Sequence, residues 1–325
     1  MQQGFEIARH GSGAGTVVTA KGDQPLNTLE RTWLLDELAK SGYLLFRGFG
    51  PSIEQFSELV QSVCTRITLD PAREFSEGKT VQKVDLGTDA VGLHVEHGTN
   101  PLTPDLTWFM CESAARVGSQ TTVCDGYRVW EQLTEQTRQR FLDQDIVYSR
   151  NISEDAWRAL TSSLLNGAKP DDQITVDDLI ELAKLFGEEK LQIRANDDGS
   201  IHYVYKVAAA HPTLFGERLS FANSILGPSY HYEKPRIAFA NDDEIPQEVI
   251  AEIEKVTAGL TEDLDWQDGD VAIVDNTRVM HGRRAIQDAD RRKIYVALGY
   301  LDSADIDPGA AATTTAPRDD APGGQ

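Results

Sequence analysis

Leu93-His94-Val95-Glu96-His97-Gly98-Thr99 is the stretch on which the reading of this chain turns. Extended backbone sends alternate side chains to opposite faces, so His94 and Glu96 share one face and Val95 takes the other. Gly98-Thr99-Asn100-Pro101 then turns the chain. A charged pair set between Leu93 and a turn calls for a partner, and one stands far downstream. Gly269-Asp270-Val271-Ala272-Ile273-Val274-Asp275-Asn276 reads as a buried strand, and Met280-His281-Gly282-Arg283 follows it. His94, Glu96 and His281 together offer two imidazoles and one carboxylate to a single metal ion, leaving positions open on one side. That donor set suits non-haem Fe(II). His281 is expected at a strand end, where loops carry function. For any single one of the seven histidines a structural role is the commoner outcome; the context of His94 and His281 sets them apart.

Outward from these two segments the chain reads as short strands with helices added. Residues 1–25 are Gly-rich, an edge strand and loops. A helix is expected from an Asn27 N-cap to Ala39, ended by Lys40-Ser41-Gly42. Tyr43 to Gly48 is a buried strand, and Ser52 caps a helix over Ile53 to Val63. Residues 70–92 are charged and irregular until Thr80 to Leu86, in the manner of a lid beside a site. Leu106 to Cys111 and Thr121 to Cys124 are strands; Asp125 to Leu133 and Thr134 to Asp143 are helices; Asp145 to Ser149 is a strand. Residues 153–188 are helical, with a break at Lys169-Pro170-Asp171-Asp172. Strands follow at Leu191 to Arg194, Ile201 to Val207 and Arg218 to Ala222, then an amphipathic helix from Pro246 to Leu260, and two core strands at Asp270 to Val274 and Lys293 to Leu301.

No regular strand–helix alternation suggests a parallel sheet. The expected class is mainly β with added helices: a double-stranded β-helix, or jelly roll, with N-terminal and mid-chain helical insertions. The expected organisation is one jelly-roll domain over residues 1–301, with its helical insertion at about 153–190. The Ala-, Thr-, Pro- and Gly-rich residues 302–325 are expected to be a disordered tail.

Composition narrows the function classes. Thirty-one basic residues face 52 acidic ones, a net charge of −21. A chain so acidic is a poor nucleic-acid binder, because neutralising phosphates needs clustered Lys and Arg, and it suits an anionic membrane surface no better. Cys64, Cys111 and Cys124 are odd in number and have no paired spacing, so reduced thiols are expected. No apolar run approaches the length of a membrane helix, which is about 18 residues, and Met1 to Thr19 lacks a secretory pattern. A cytoplasmic enzyme acting on a small molecule, with no nucleic-acid or membrane partner, is the expectation.

Arg292 lies eleven residues past His281 and begins the last strand. A buried Arg there grips a carboxylate through two parallel hydrogen bonds; the alternative is a surface ion pair with Asp288 or Asp290. Gln82, Lys83, Arg150, Asn151 and Asn223 are polar groups in segments expected to border the pocket, and each reads equally well as a turn or surface residue.

Taken in order, several motifs make the chain resemble the TauD/TfdA family of Fe(II)/2-oxoglutarate dioxygenases. They are Leu93-His94-Val95-Glu96, Trp108-Phe109-Met110-Cys111-Glu112, Gly118-Ser119-Gln120-Thr121, Asp265-Trp266-Gln267-Asp268-Gly269-Asp270, Val274-Asp275-Asn276, His281-Gly282-Arg283 and Arg291-Arg292. The resemblance runs roughly from Gly42 to Leu301 and is nearest the branch containing the syringomycin-pathway hydroxylase SyrP. It implies that His94, Glu96 and His281 ligate Fe(II), and that Thr121 and Arg292 hold the distal carboxylate of 2-oxoglutarate. It further implies that O2 and 2-oxoglutarate are consumed, giving succinate and CO2, while an unactivated C–H bond of an amino-acid-like secondary metabolite is hydroxylated or desaturated. The substrate is free or carrier-bound, and the protein is a monomer or a homo-oligomer. Much of the family has Asp where this chain has Glu96; related halogenases have a small residue there, so Glu96 argues against halogenation. Two alternatives stand beside this one: a cupin-like metalloenzyme that needs no 2-oxoglutarate, and a non-catalytic jelly roll that binds a small molecule.

Overall fold

The computed structural model describes residues 4–68, 80–84, 87–165, 168–228 and 233–302. Its frame is two facing sheets. The larger has eight strands; along its main path stand Phe5–Arg9, Thr16–Ala20, Tyr43–Arg47, Val271–Asp275, Leu106–Ser113, Lys293–Tyr300 and Arg66–Thr68, with Gln82–Lys83 paired to Lys293–Tyr300. The smaller runs Glu262–Leu264, Thr121–Asp125, Val279–Arg283, Val91–His94. Pairing is antiparallel throughout both, except that Thr16–Ala20 runs parallel to Tyr43–Arg47.

Strand alternation explains why the central strands read as unbroken apolar runs: both faces are covered. Leu44, Phe46, Trp108, Met110, Val271 and Ile273 point outward into a core built with Leu34, Leu38, Phe56, Leu59 and Val60. Those residues belong to the helices Arg31–Ser41 and Ile53–Val63. Leu45, Phe109, Ala272, Val274, Ile294 and Val296 point the other way, meeting Val123, Leu264 and Val279 of the smaller sheet. The outer face of that sheet is covered in turn, because Cys124 and Met280 join a third core with Tyr148, Phe221, Phe239 and Ile253. This third core lies against a four-stranded sheet ordered Leu191–Ala195, Ile201–Val207, Ile146–Ile152, Arg236–Phe239. The helices Glu154–Leu165 and Val176–Ala183 fall in the span read as a mid-chain insertion, with Lys169-Pro170 between them.

The local signals act largely as read. The Ser52 side chain accepts from the Gln55 N–H, and the Gln55 side chain accepts from the Ser52 N–H, a reciprocal cap. Gly42 ends its helix at φ 78°, a left-handed turn that glycine makes without a Cβ penalty. Two expectations need correction. Asn27 caps no helix: residues 26–28 form a 3-10 turn, the Asn27 amide donates to Glu58, and the helix begins at Arg31. His281 does not stand past a strand end; it is the middle residue of the strand Val279–Arg283, a segment too short and too mixed to show period 2. Among the described residues Thr80 to Leu86 contributes only the strand Gln82–Lys83. Residues 69–79 and 85–86 of the lid-like stretch, and the tail from residue 303, lie outside the described residues.

Candidate metal centre and its cavity

His281 pairs directly with His94 across neighbouring antiparallel strands, and with Val123 on its other side. The expectation that His94 and Glu96 share one face of a strand needs correction: the strand carrying His94 ends at that residue, and Glu96 reaches its neighbour from the turn that follows. The turn is tight enough that His97 takes φ 57°, the left-handed region that L residues seldom adopt. Glu96 Oε2 comes to 3.2 Å from His281 Nε2 and 3.5 Å from His94 Nε2. Metal bonds of about 2.1 Å at right angles would place neighbouring donors about 3.0 Å apart, so this spacing fits one ion held by three protein atoms. His94 Nδ1 lies 2.9 Å from the Gly92 carbonyl. That bond puts the ring proton on Nδ1 and leaves the Nε2 lone pair facing the site. His281 and Glu96 are buried, at 4% and 6% exposure. The Phe109 ring meets His281 edge to face at 5.3 Å and limits how that imidazole can turn.

The carboxylate is positioned through its backbone. Asn276, buried at the end of Val271–Asp275, accepts from the Glu96 N–H at 2.8 Å. Its amide donates to the Glu96 carbonyl at 3.2 Å and to the Pro104 carbonyl at 2.9 Å. Both ends of one amide therefore hold the ligand's own peptide groups. The sequence showed Asn276 only as part of a motif; a lone amide closing a buried apolar run is the signal, because such a group must find partners. Gly282 follows the candidate donor His281 for a steric reason. A Cβ there would stand 2.6 Å from the Val91 carbonyl oxygen and 2.8 Å from Thr122 Oγ1.

These residues open on a cavity of about 500 Å³. Thr121 and Arg292 both line it. Arg292 is buried rather than paired at the surface with Asp288 or Asp290: Nε donates to Ser119 Oγ at 2.6 Å and Nη1 to the Val84 carbonyl at 2.5 Å. Thr121 Oγ1 accepts from Trp266 Nε1 at 3.0 Å. Arg283, in register with Thr121, also lines the cavity, and its Nη2 donates to the Gly87 and Asp89 carbonyls. A guanidinium and a hydroxyl lining the same cavity as the three candidate metal donors suit a dicarboxylate that would also reach an ion held there.

Of the polar residues proposed for the substrate, only Arg150 lines the cavity; it is 6% exposed, with its guanidinium carbon 5.6 Å from the Tyr203 ring centre. The others stand elsewhere. Asn151 is exposed and bonded to Glu233, because the alternation that turns Arg150 inward turns its neighbour out. Asn223 is buried in a local turn, donating to the Ala209 carbonyl and accepting from the Ile225 N–H. Gln82 is buried within its two-residue strand and Lys83 is exposed; neither is on the cavity wall.

A family model described as "Taurine catabolism dioxygenase TauD, TfdA family" matches residues 7–298. Dapdiamide synthesis protein DdaC of Enterobacter agglomerans is 26% identical over 280 residues, which cover 81% of this chain and 84% of that protein. PvcB of Pseudomonas aeruginosa superposes with a TM-score of 0.60 at 13% identity, over 95% of this chain and 96% of that one. A taurine dioxygenase from Burkholderia xenovorans gives 0.61 at 12% identity, over 92% and 90%. Both superpositions carry the jelly-roll architecture, while the family match spans nearly all of the described chain. No helix among the described residues is long and apolar enough to cross a membrane. The chain belongs to the TauD/TfdA family and is an Fe(II)- and 2-oxoglutarate-dependent dioxygenase.

Proposed function

We propose that His94, Glu96 and His281 hold the Fe(II), that Arg292 and Thr121 take the distal carboxylate of 2-oxoglutarate, and that the enzyme hydroxylates or desaturates an unactivated C–H bond of a small amino-acid-like metabolite. The observation that carries this reading is the convergence of three donor atoms from two neighbouring strands and a turn on the wall of one cavity. Bound iron supplies the activation of O2 that protein side chains cannot. The chain's own groups do the rest. Asn276 fixes the Glu96 peptide, and the Gly92 carbonyl fixes the tautomer of His94. Phe109 restricts His281. Arg292, held by Ser119 and Val84, presents its guanidinium to a carboxylate already oriented.

The amino-acid-like substrate class draws support from the relative named for dapdiamide synthesis, and the placement beside the syringomycin-pathway hydroxylase is part of the same reading. Free and carrier-borne forms of the substrate both fit it. Glu96 supports oxidation without halogenation, since its carboxylate fills the position a halide would need.

The test is Fe(II)-dependent formation of succinate by the parent protein and by His94→Ala and His281→Ala. Both variants should lose iron binding and turnover, because two protein donors hold the ion poorly. Parental succinate formation by either variant would overturn the ligand set.

A further inference from the structure

The cavity does not end at the metal donors. It continues into a lobe walled by the helices Glu154–Leu165 and Val176–Ala183 and the strands Leu191–Ala195 and Ile201–Val207. Ala156, Leu160, Leu182, Phe186 and Ile193 line it, and each is only half-buried. Trp157 and Leu179, packed into the core behind, complete the wall. An apolar wall left partly open is costly in water unless an apolar partner covers it. Near the ends of these helices Leu164, which also lines the cavity, is 38% exposed, and Leu185, in the 3-10 turn Lys184–Phe186 after the second helix, is 80% exposed. Leu164 sets an exposed apolar side chain on the cavity wall, where an apolar chain would enter.

The other end of the lobe carries the Arg150 guanidinium. Tyr203 donates its hydroxyl to the Thr99 carbonyl at 3.1 Å, three residues past Glu96. Arg150 pairs with Tyr203 across the strands, so its guanidinium stands where the metal-bearing turn meets the apolar lobe. Among the described residues the cavity wall carries three buried arginines, Arg150, Arg283 and Arg292, together with the carboxylates of buried Glu96 and exposed Asp89.

We infer that the substrate is an anionic amphiphile: an acyl or other apolar tail seated in the lobe, and a carboxylate-type head near Arg150, between the tail and the metal donors. The inference names the substrate class of the dioxygenase site and rests on that reading for the chemistry alone, since tail and head bind without the metal. An amino acid bearing a long apolar side chain or an N-acyl group meets the description. In this reading Arg292 belongs to the proposed 2-oxoglutarate site, and Arg150 meets the substrate's own anion.

The test is a homologous series of straight-chain carboxylates, butanoate to dodecanoate, kept below their micelle concentrations and titrated into the full-length protein with and without Fe(II) and 2-oxoglutarate. Calorimetry and tryptophan fluorescence follow binding, with Trp157→Phe identifying the signal from the lobe. Affinity should rise about three- to fourfold for each added methylene until the lobe is full. Ala156→Leu should move that limit to shorter chains. Leu160→Glu should flatten the dependence. Arg150→Gln should weaken every member alike, by about tenfold or more, because the lost bonds are to a charged group. An affinity independent of chain length, or an unchanged limit in a folded Ala156→Leu protein, overturns the tail. Equal affinity for alkyltrimethylammonium ions of matched length overturns the anionic head. Binding is read without iron, so these results stand apart from the succinate assay: chain-length-dependent binding with no succinate formed would keep the lobe and refute the dioxygenase site, and the reverse would do the opposite.

Discussion

Asn276→Ala removes a side chain that does not itself line the cavity and meets the candidate donor Glu96 only through its peptide groups, yet it should be among the most damaging single changes in this protein. Three hydrogen bonds disappear: one accepted from the Glu96 N–H, and two donated to the Glu96 and Pro104 carbonyls. Asn276 is 1% exposed, so water cannot simply take its place. Each bond contributes about 1 kcal/mol, and a buried group left unpaired costs up to about 3 kcal/mol, which puts the total near 3–4 kcal/mol. For a chain of this length that corresponds to a fall in melting temperature of about 5 °C. The second effect is local. The turn that aims the Glu96 carboxylate is anchored through those same peptide groups, so iron affinity should drop about 10- to 100-fold, as for other residues that orient a metal ligand. Differential scanning fluorimetry of the iron-free protein reads the first effect, and anaerobic Fe(II) titration reads the second. Asn276→Asp keeps the acceptor for the Glu96 N–H but sets a carboxylate against two carbonyls, so it should not rescue either. A melting temperature and iron affinity both equal to the parent's would refute the claim that this amide places Glu96.

Other outcomes follow from the same geometry. Arg292→Gln should raise the 2-oxoglutarate requirement by about 2–5 kcal/mol, the loss expected for a desolvated charge pair, with circular dichroism unchanged; an unaltered requirement moves the carboxylate site to another residue. Burial lifts the Asp275 carboxyl from 3.8 to about 6, against hydrogen bonds from Thr277 that pull it down. Folding therefore favours its protonated form. The stability this adds is complete below pH 3.8 and lost as pH rises through about 6. Asp275→Asn has no such proton to lose, so its stability relative to the parent should climb by about 3 kcal/mol across that window in urea melts at stepped pH; a flat difference would contradict it. Burial also pushes the Cys64, Cys111 and Cys124 thiols up to about 12, so none should react with Ellman's reagent in the native protein while all three react in guanidinium.

His94, Glu96 and His281 stood out as candidate donors through their chemistry and the turn residues beside them, although strand period does not carry from His94 to Glu96, which stands in the turn past the strand end; Arg292 stood out by its distance from His281. The jelly roll was legible because the apolar runs at Leu106, Val271 and Lys293 are too short for helices and lack strand–helix alternation. Other features resist a linear reading for physical reasons. His281 lies on a strand of only five residues, whose assignment comes from its neighbours Thr121–Asp125 and Val91–His94 and not from its own pattern. Asn27 resembles a cap, but Glu58, far along the chain, captures its amide. Asn151 and Arg150 are adjacent and chemically alike as candidates; only the register of Ile146–Ile152 against Ile201–Val207 decides which faces the cavity. The lobe is least visible of all, because Leu160, Leu182 and Ile193 have the spacing of ordinary core residues, and a wall facing a void has the same sequence pattern as one facing another wall.

The division of the cavity between two supports has a consequence for how such an enzyme can change. The residues proposed to meet iron and 2-oxoglutarate stand on the two facing sheets and the turns that join them, whereas the lobe is walled by the chain between Ile152 and Tyr203, packed on the third core that it shares with Cys124 and Met280 of the smaller sheet. Substitutions at Leu160 or Leu182, which line the lobe and are no part of that shared core, are therefore free to reshape the accepted molecule without disturbing the proposed donors. A library confined to those helices should yield altered selectivity at parental rates of uncoupled 2-oxoglutarate decay, a separation of appetite from reactivity that few single-core enzymes permit.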